Sequence, residues 1–506
     1  MGVLGEAAAG AVRERDETPA FASAGVAVVA ALGALALIVS MGRYQFFGDE
    51  LYFISAGRRL SWSYADQGPL VPLLARAMDL IAPESMVALR VPAVMATVGA
   101  IVLCALIARE LGGSAAAQVL AAAAYATSPF LLGQGNTLST NAIDTPLWVL
   151  ASWLLVRWVR TRRDVLLLWA AVVTAVDMQV KWLIPFFWFA VAVGVCLVGP
   201  RCLLRRRTLW AGALVVAVTM VPSLLWQARH GWPQLALGRA VAAEQDAIGG
   251  RVVFVPLTAV IAGVLGGVLL LCGVWALWRS DALRPYRFLG VALPLLILAF
   301  VAVNGRPYYP SGCYAVVIAA GAVWAAGAPV ATWRKVAVVP LTLASVVLAA
   351  ASLPWKPERD LPPARPDDAI GLLLYGRFGW TELARTAARV YRDLPPEDRG
   401  RTVFVTRSYW QAAALDVYRY TYGMPAAYSW SRGFGYFGAP PNRATTVILV
   451  ARDATEMQSL FASVTPIGRA DARLGLPGVS RDVTFWRCDH PRQPWSTAWP
   501  GLMRLN

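Results

Sequence analysis

Long apolar runs, each ended by a short polar or basic stretch, recur from residue 22 to residue 353. A bilayer core about 30 Å thick needs roughly 20 residues of apolar helix to cross it. On that rule the runs near 22–42, 86–107, 116–135, 142–158, 165–180, 183–199, 208–226, 252–278, 286–303, 311–328 and 333–353 read as about eleven transmembrane helices. The first run is longer than the apolar region of a cleaved signal and follows an acidic tail, so a retained helix is expected. Beyond residue 353 the pattern changes. Residues 354–366 form a Pro-rich linker, residues 402–405 and 446–450 read as strands, and residues 410–420 read as a helix between them. The expected fold is a polytopic α-helical membrane module over 1–353, with a first outer loop at 43–85, and a small C-terminal extracytoplasmic α/β domain over 354–506.

Charge gives this layout a direction. The net charge is +16, and 15% of the 506 residues are charged. The basic residues gather in short loops between spans, which points to membrane orientation and away from nucleic acid. Arg157, Arg160, Arg162 and Arg163, then Arg201 and Arg205–Arg207, then Arg279, Arg284 and Arg287, then Arg334 and Lys335 all fall on one side if the helices alternate. That side is expected to be cytoplasmic and to carry the N-terminus, as in a multi-pass plasma-membrane protein. Two His and six Cys without a CxxC leave no metal-ligand spacing, and no GxxxxGK[ST] loop is present. No metal or cofactor is expected. The nearest approach to an acidic metal motif, Glu244-Gln245-Asp246, reads as a solvated helix face.

The uncommon polar residues fall on the opposite, outer side. The first outer loop carries Gly48-Asp49-Glu50-Leu51-Tyr52, Arg58-Arg59 and Asp66-Gln67-Gly68-Pro69. Ser139–Asp144, Asp177, Gln179, Lys181, Trp226–Pro233 with its His230, and Asn304–Pro310 follow. Arg58, Arg59, Arg229 and the Trp residues also suit plain interfacial anchoring. Adjacent carboxylates directly after a span are harder to explain that way, because charge near hydrocarbon is costly and by default functional. Such a face suits group transfer from a lipid-linked donor. A carboxylate takes a proton from an acceptor hydroxyl, while cationic and phenolic groups stabilise a phosphate leaving group.

The ordered series GDELY, DQGPLVP, STNAIDTPLW, VKW, LWQARHGWP and GRPYYP resembles bacterial members of the dolichyl-phosphate-mannose–protein mannosyltransferase-like superfamily. These are family 39 glycosyltransferases of the GT-C fold, related to the lipid A aminoarabinose transferases. The resemblance covers residues 40–330 and weakly the rest. It implies an inverting hexosyl or pentosyl transferase that uses a polyprenyl phosphate-linked sugar within membrane lipid. The acceptor is extracytoplasmic: a protein, a lipid or a wall glycan. The family's acidic pair carries over onto Asp49 and Glu50 as catalytic residues, with Asp49 the base. Arg306 stands where the family usually has Lys, and keeps the charge. Arg306, Lys181, Tyr308, Tyr309 and Arg58 are the expected donor-phosphate ligands. Asp144, Asp66 and His230 are expected to serve the acceptor or the structure. Val180 replaces the family's Asn before Lys181. Ser408-Tyr409-Trp410-Gln411 replaces a Tyr-Gly-Glu-type stretch, so acceptor recognition does not carry over there. The competing class is a transporter or flippase of lipid-linked sugars, which would place ionisable residues near the midplane of inverted repeats.

Overall fold

The structure, a computed structural model, describes residues 18–327, 332–365 and 371–505, without the side chains of 332–336. The acidic tail, the side chains of Arg334 and Lys335, and Pro366 at the end of the linker lie outside the described residues. Among the described residues six helices are long and apolar enough to cross a membrane: Ser23–Ser40, Met86–Glu110, Thr140–Thr161, Arg207–Arg229, Arg284–Ala302 and Tyr309–Ala326. Shorter apolar helices cover Val165–Met178, Ile184–Val198, Val264–Arg279 and Ala337–Ser352. The first helix shows how lipid shapes the pattern. Val26, Ala30, Gly33 and Leu37 face protein, while Val28, Leu32, Leu35 and Ile38 stay exposed. Both faces are apolar, because one meets the bundle and the other meets acyl chains. Deeper in the bundle, Gly273 lies against the Val317 carbonyl and Gly321 against the Leu269 carbonyl. A side chain at either position would force these two helices apart.

Two expected spans are interrupted. The run at 116–135 is two helical segments, Ala115–Ala126 and Pro129–Asn136, bent by 67°. Ser128 caps the second and Pro129 opens it, and a proline there cannot continue the preceding hydrogen-bond ladder. The run at 252–278 splits at Gly263, whose φ of +76° suits only glycine comfortably. Its first half, Gly250–Ala262, is instead bent by 84° against the preceding helix, Pro233–Asp246, here called α1.

The loop after the first span, residues 43–85, holds two helices, α2 (Gly48–Gly57) and α3 (Leu70–Ile81). Beyond the linker, among the described residues, five strands form one sheet in the order β2-β1-β3-β5-β4: β1 Thr402–Thr406, β2 Ala427–Ser429, β3 Thr446–Ala451, β4 Phe461–Ala470 and β5 Val483–Pro491. β1 pairs in parallel with β2 and β3, and β5 runs antiparallel to β3 and β4. The helix α4 (Tyr409–Val417) connects β1 to β2 and lies across α2. Their apolar residues form one core, with Leu51, Tyr52 and Ile54 from the loop packed among Trp380, Phe404, Trp410 and Leu415. Arg59 fastens the same contact through two hydrogen bonds to the Asp416 carboxylate, at 2.7 and 2.8 Å. The sheet domain therefore packs on the loop after the first span and covers it.

Candidate active site

The N-terminus of α2 places its two carboxylates in different surroundings. Glu50 is completely buried. Arg90 donates to Oε1 at 2.9 Å and to Oε2 at 2.7 Å, the Leu138 N–H donates to Oε1 at 3.0 Å, and the Phe47 N–H donates to Oε2 at 2.8 Å. Arg90 is equally buried, so the pair is a charge-neutral pin that also caps the helix. Both oxygens of Glu50 are occupied. This departs from the expected catalytic pair.

Asp49 is half-buried and turns the other way. Its Oδ1 accepts hydrogen bonds from the Tyr409 hydroxyl at 2.7 Å and from the Trp410 indole at 2.8 Å. Its Oδ2 has no hydrogen-bond partner among the described residues. The Trp410 indole lies directly on the Gly48 Cα, where a Cβ would clash with it. The glycine in GDELY is thus a packing requirement of the residue beside it.

Asp66, from the DQG stretch, accepts a hydrogen bond from the Tyr52 hydroxyl at 2.8 Å. Burial pushes its carboxyl up to about 6, helped by the nearby charge of Asp49 and opposed by the Tyr52 hydrogen bond and Arg432. Burial, together with these carboxylates, also raises the Tyr52 and Tyr409 hydroxyls well above the ordinary phenol value, so both remain donors.

Arg432 lies beside these groups, its guanidinium 5.6 Å from the centre of the Tyr409 ring. Lys181 donates to Asn141 at 2.9 Å and sits 4.4 Å from the Tyr309 ring centre and 5.4 Å from that of Tyr308. The asparagine missing beside Lys181 in the chain is thus met by another from a neighbouring helix. Tyr308 lies flat on Phe130, with ring centres 5.1 Å apart. Arg306 donates to Glu244 at 2.7 Å, and Arg432 pairs with the other oxygen of the same carboxylate.

Several expectations change here. Arg58 is held by Asp79 at 3.0 and 3.2 Å and by the carbonyls of Asp416 and Val417, so its guanidinium braces α2 against α3 and the sheet domain. Its donors are engaged in these contacts, where a phosphate ligand was expected. Of Glu244-Gln245-Asp246 only Asp246 is exposed, as a solvated face would have it: Glu244 is half-buried and bridges two arginines, Gln245 is buried, and Asp246 accepts from Asn304 at 2.8 Å. Asp144 lies under the site, where the Trp148 indole donates to both Asp144 and Asp177, at 3.2 Å each. His230 is exposed and stacked on Trp226 at 3.9 Å, away from the carboxylates. Tyr409, Trp410 and Arg432, none of them expected as ligands, come from the sheet domain. Among the described residues no three His, Cys, Asp or Glu side chains converge as metal ligands.

Residues 66–226 match the dolichyl-phosphate-mannose-protein mannosyltransferase family. Among solved structures, ArnT from Cupriavidus metallidurans in the apo state matches with a TM-score of 0.61 at 14% identity, over 92% of this chain and 98% of that one. The same protein bound to undecaprenyl phosphate matches at 0.55, with the same identity and coverage. Arabinofuranosyltransferase AftD from Mycobacteria matches at 0.53 and 14% identity, over 94% of this chain but 41% of that one. No curated protein sequence gives a significant match.

Proposed function

Taking as premise that the chain is a multi-pass membrane protein of the GT-C fold, we propose that it transfers a sugar from a polyprenyl phosphate donor to an extracytoplasmic hydroxyl. The observation that carries this reading is Asp49, with one carboxylate oxygen held by Tyr409 and Trp410 and the other without a hydrogen-bond partner among the described residues, while Arg432 lies 5.6 Å from the centre of the Tyr409 ring and meets Arg306 on Glu244. The acceptor oxygen attacks the anomeric carbon, the bond from that carbon to the phosphate oxygen breaks, and the phosphate leaves with the electron pair. The acceptor proton passes to Asp49 Oδ2. The lost proton is thus held on one side of the sugar and the new phosphate charge on the other. Undecaprenyl phosphate in the related ArnT structure supports the donor class.

Glu50 is assigned here to structure, as the partner of Arg90, and Arg58 to bracing the loop. Asp66 and Tyr52 line the acceptor side. The Arg-rich loops support a cytoplasmic N-terminus, a membrane module to residue 353 and an outer domain after it, in the plasma membrane. The test is to incubate the purified protein with a panel of polyprenyl phosphate sugars and acceptors and to measure released polyprenyl phosphate. Release that depends on a sugar-bearing donor is the expected result. Net movement of lipid-linked sugar across vesicles without release would favour a flippase and overturn the proposal.

A further inference from the structure

Arg306 and Arg432 come from unrelated parts of the chain, one from the loop before Tyr309 and the other from the sheet domain. They meet on a single carboxylate, Glu244, one guanidinium to each oxygen. Two guanidinium groups converging on the two oxygens of one anion is the arrangement that also fits two oxygens of a phosphate. Arg432 is built for its position. Its backbone takes a left-handed φ of 49°, uncommon for a residue with a side chain, and is held there by its N–H donating to the Arg504 carbonyl at 2.7 Å. Its guanidinium also lies 5.6 Å from the centre of the Tyr409 ring, whose hydroxyl holds Asp49. Glu244 sits on α1, and the same helix is tied to the arginine loop by Asn304, which donates to the Ala242 carbonyl and to Asp246 at 2.8 Å each.

We infer that Arg432 is a second ligand of the donor phosphate and that Glu244 is a resident anion that holds both arginines until that phosphate takes its place. This rests on the polyprenyl phosphate reading of the site above, and concerns the same reaction. The charge arithmetic gives Glu244 a use beyond filling the seat. A sugar-bearing polyprenyl phosphate is a diester with one negative charge. Once the anomeric carbon–oxygen bond breaks, the leaving monoester carries between one and two charges at neutral pH, as phosphate monoesters do. The arginines are drawn from Glu244 most strongly as that charge develops, so their help is concentrated in the transition state. After transfer, Glu244 competes with the spent lipid phosphate for the same two guanidiniums and speeds its departure.

The experiment measures binding of undecaprenyl phosphate, and of undecaprenol as a lipid without phosphate, to the full chain in detergent. Glu244→Gln keeps the size of the side chain and removes its charge. It should bind undecaprenyl phosphate about tenfold or more tightly than wild type. Undecaprenol binding should be unchanged. Its first turnover should stay at least as fast while steady-state turnover slows, because product leaves late. Arg432→Gln should weaken phosphate binding by about tenfold or more and cancel the gain in the double variant, while Arg432→Lys recovers part of the loss. Improved binding cannot come from damage to the fold, so the Glu244→Gln arm does not depend on how well Arg432 variants fold. Unchanged or weaker binding in Glu244→Gln would overturn the inference and leave the donor class standing. A wild-type protein that binds no undecaprenyl phosphate would overturn the donor class itself.

Discussion

Replacing Asp49 with Asn separates the chemical role of this side chain from its structural one. Asn has the same shape, and its carbonyl oxygen can still accept from Tyr409 and Trp410, which now sit 2.7 and 2.8 Å from Asp49 Oδ1. Hydrogen bonds to a charged acceptor contribute about 1.5–3 kcal/mol and neutral ones about 1 kcal/mol. The variant should therefore lose no more than a few kcal/mol of local stability and should still express. It cannot take a proton on the oxygen that Tyr409 and Trp410 leave without a partner among the described residues. Loss of a positioned general base slows a reaction by about 10²–10⁴-fold, or ~3–5 kcal/mol of barrier. The assay is single-turnover release of polyprenyl phosphate at saturating donor, beside donor binding. A drop of that size with donor binding within a few fold of wild type is expected. Tyr409→Phe, which removes one of the two groups orienting the carboxylate, should cost about tenfold. The simplest rival role, capping α2, is already filled by Glu50, which accepts from the Phe47 N–H at 2.8 Å. Asp49→Asn with normal expression and activity within twofold of wild type would refute the base assignment.

Glu50→Gln should instead act on stability: it leaves Arg90 as a fully buried charge without its counter-ion, a change that typically costs about 3–5 kcal/mol. Thermal unfolding in detergent should shift down while the remaining folded protein turns over within a few fold of wild type. A hundredfold loss of turnover at an unchanged midpoint would return Glu50 to the chemistry. The Asp66 carboxyl, pushed up to about 6 from an ordinary value near 4, binds its proton more tightly folded than unfolded. Its contribution is therefore most favourable below about pH 4 and declines as pH rises toward 6. Asp66→Asn should flatten that decline in a pH series of unfolding midpoints; parallel curves would contradict the assigned shift. Reporter fusions after Leu353 and within residues 157–164 should fall on opposite sides of the membrane, and two reporters on one side would remove the outward-facing site.

The sequence was informative wherever a feature was local. Strands β1 and β3 carry their meaning within a few residues, because their apolar runs are buried on both faces. β4 gave no such signal, because most of its residues are exposed and its pairing shifts between Pro466 and Gly468. The break at Gly263 hid inside an apolar run, where a lone glycine looks like any packing residue. Arg58 looked available because its partner Asp79 lies 21 residues on, and meets it only when α2 and α3 fold side by side. Arg432 and Glu244 are 188 positions apart, and nothing near either one announces the other. In the same way Tyr409 and Trp410 stood only as a departure from the family, while the fold puts them on Asp49.

The 360 residues between Asp49 and Tyr409 also set an order in time. At a synthesis rate of about 5–20 residues per second, the carboxylate emerges roughly 20–70 s before the hydroxyl that will hold it has been made. During that interval the nascent bundle can settle in the bilayer among the cell's lipid-linked sugars with its base unheld and its upper wall absent. On the proposed mechanism and orientation, activity arrives late and at once, when the last third of the chain has crossed the membrane and has folded down onto the first loop. If Asp49 is the base, completion of the polypeptide becomes a condition of turnover, and chains truncated before Tyr409 should be inert.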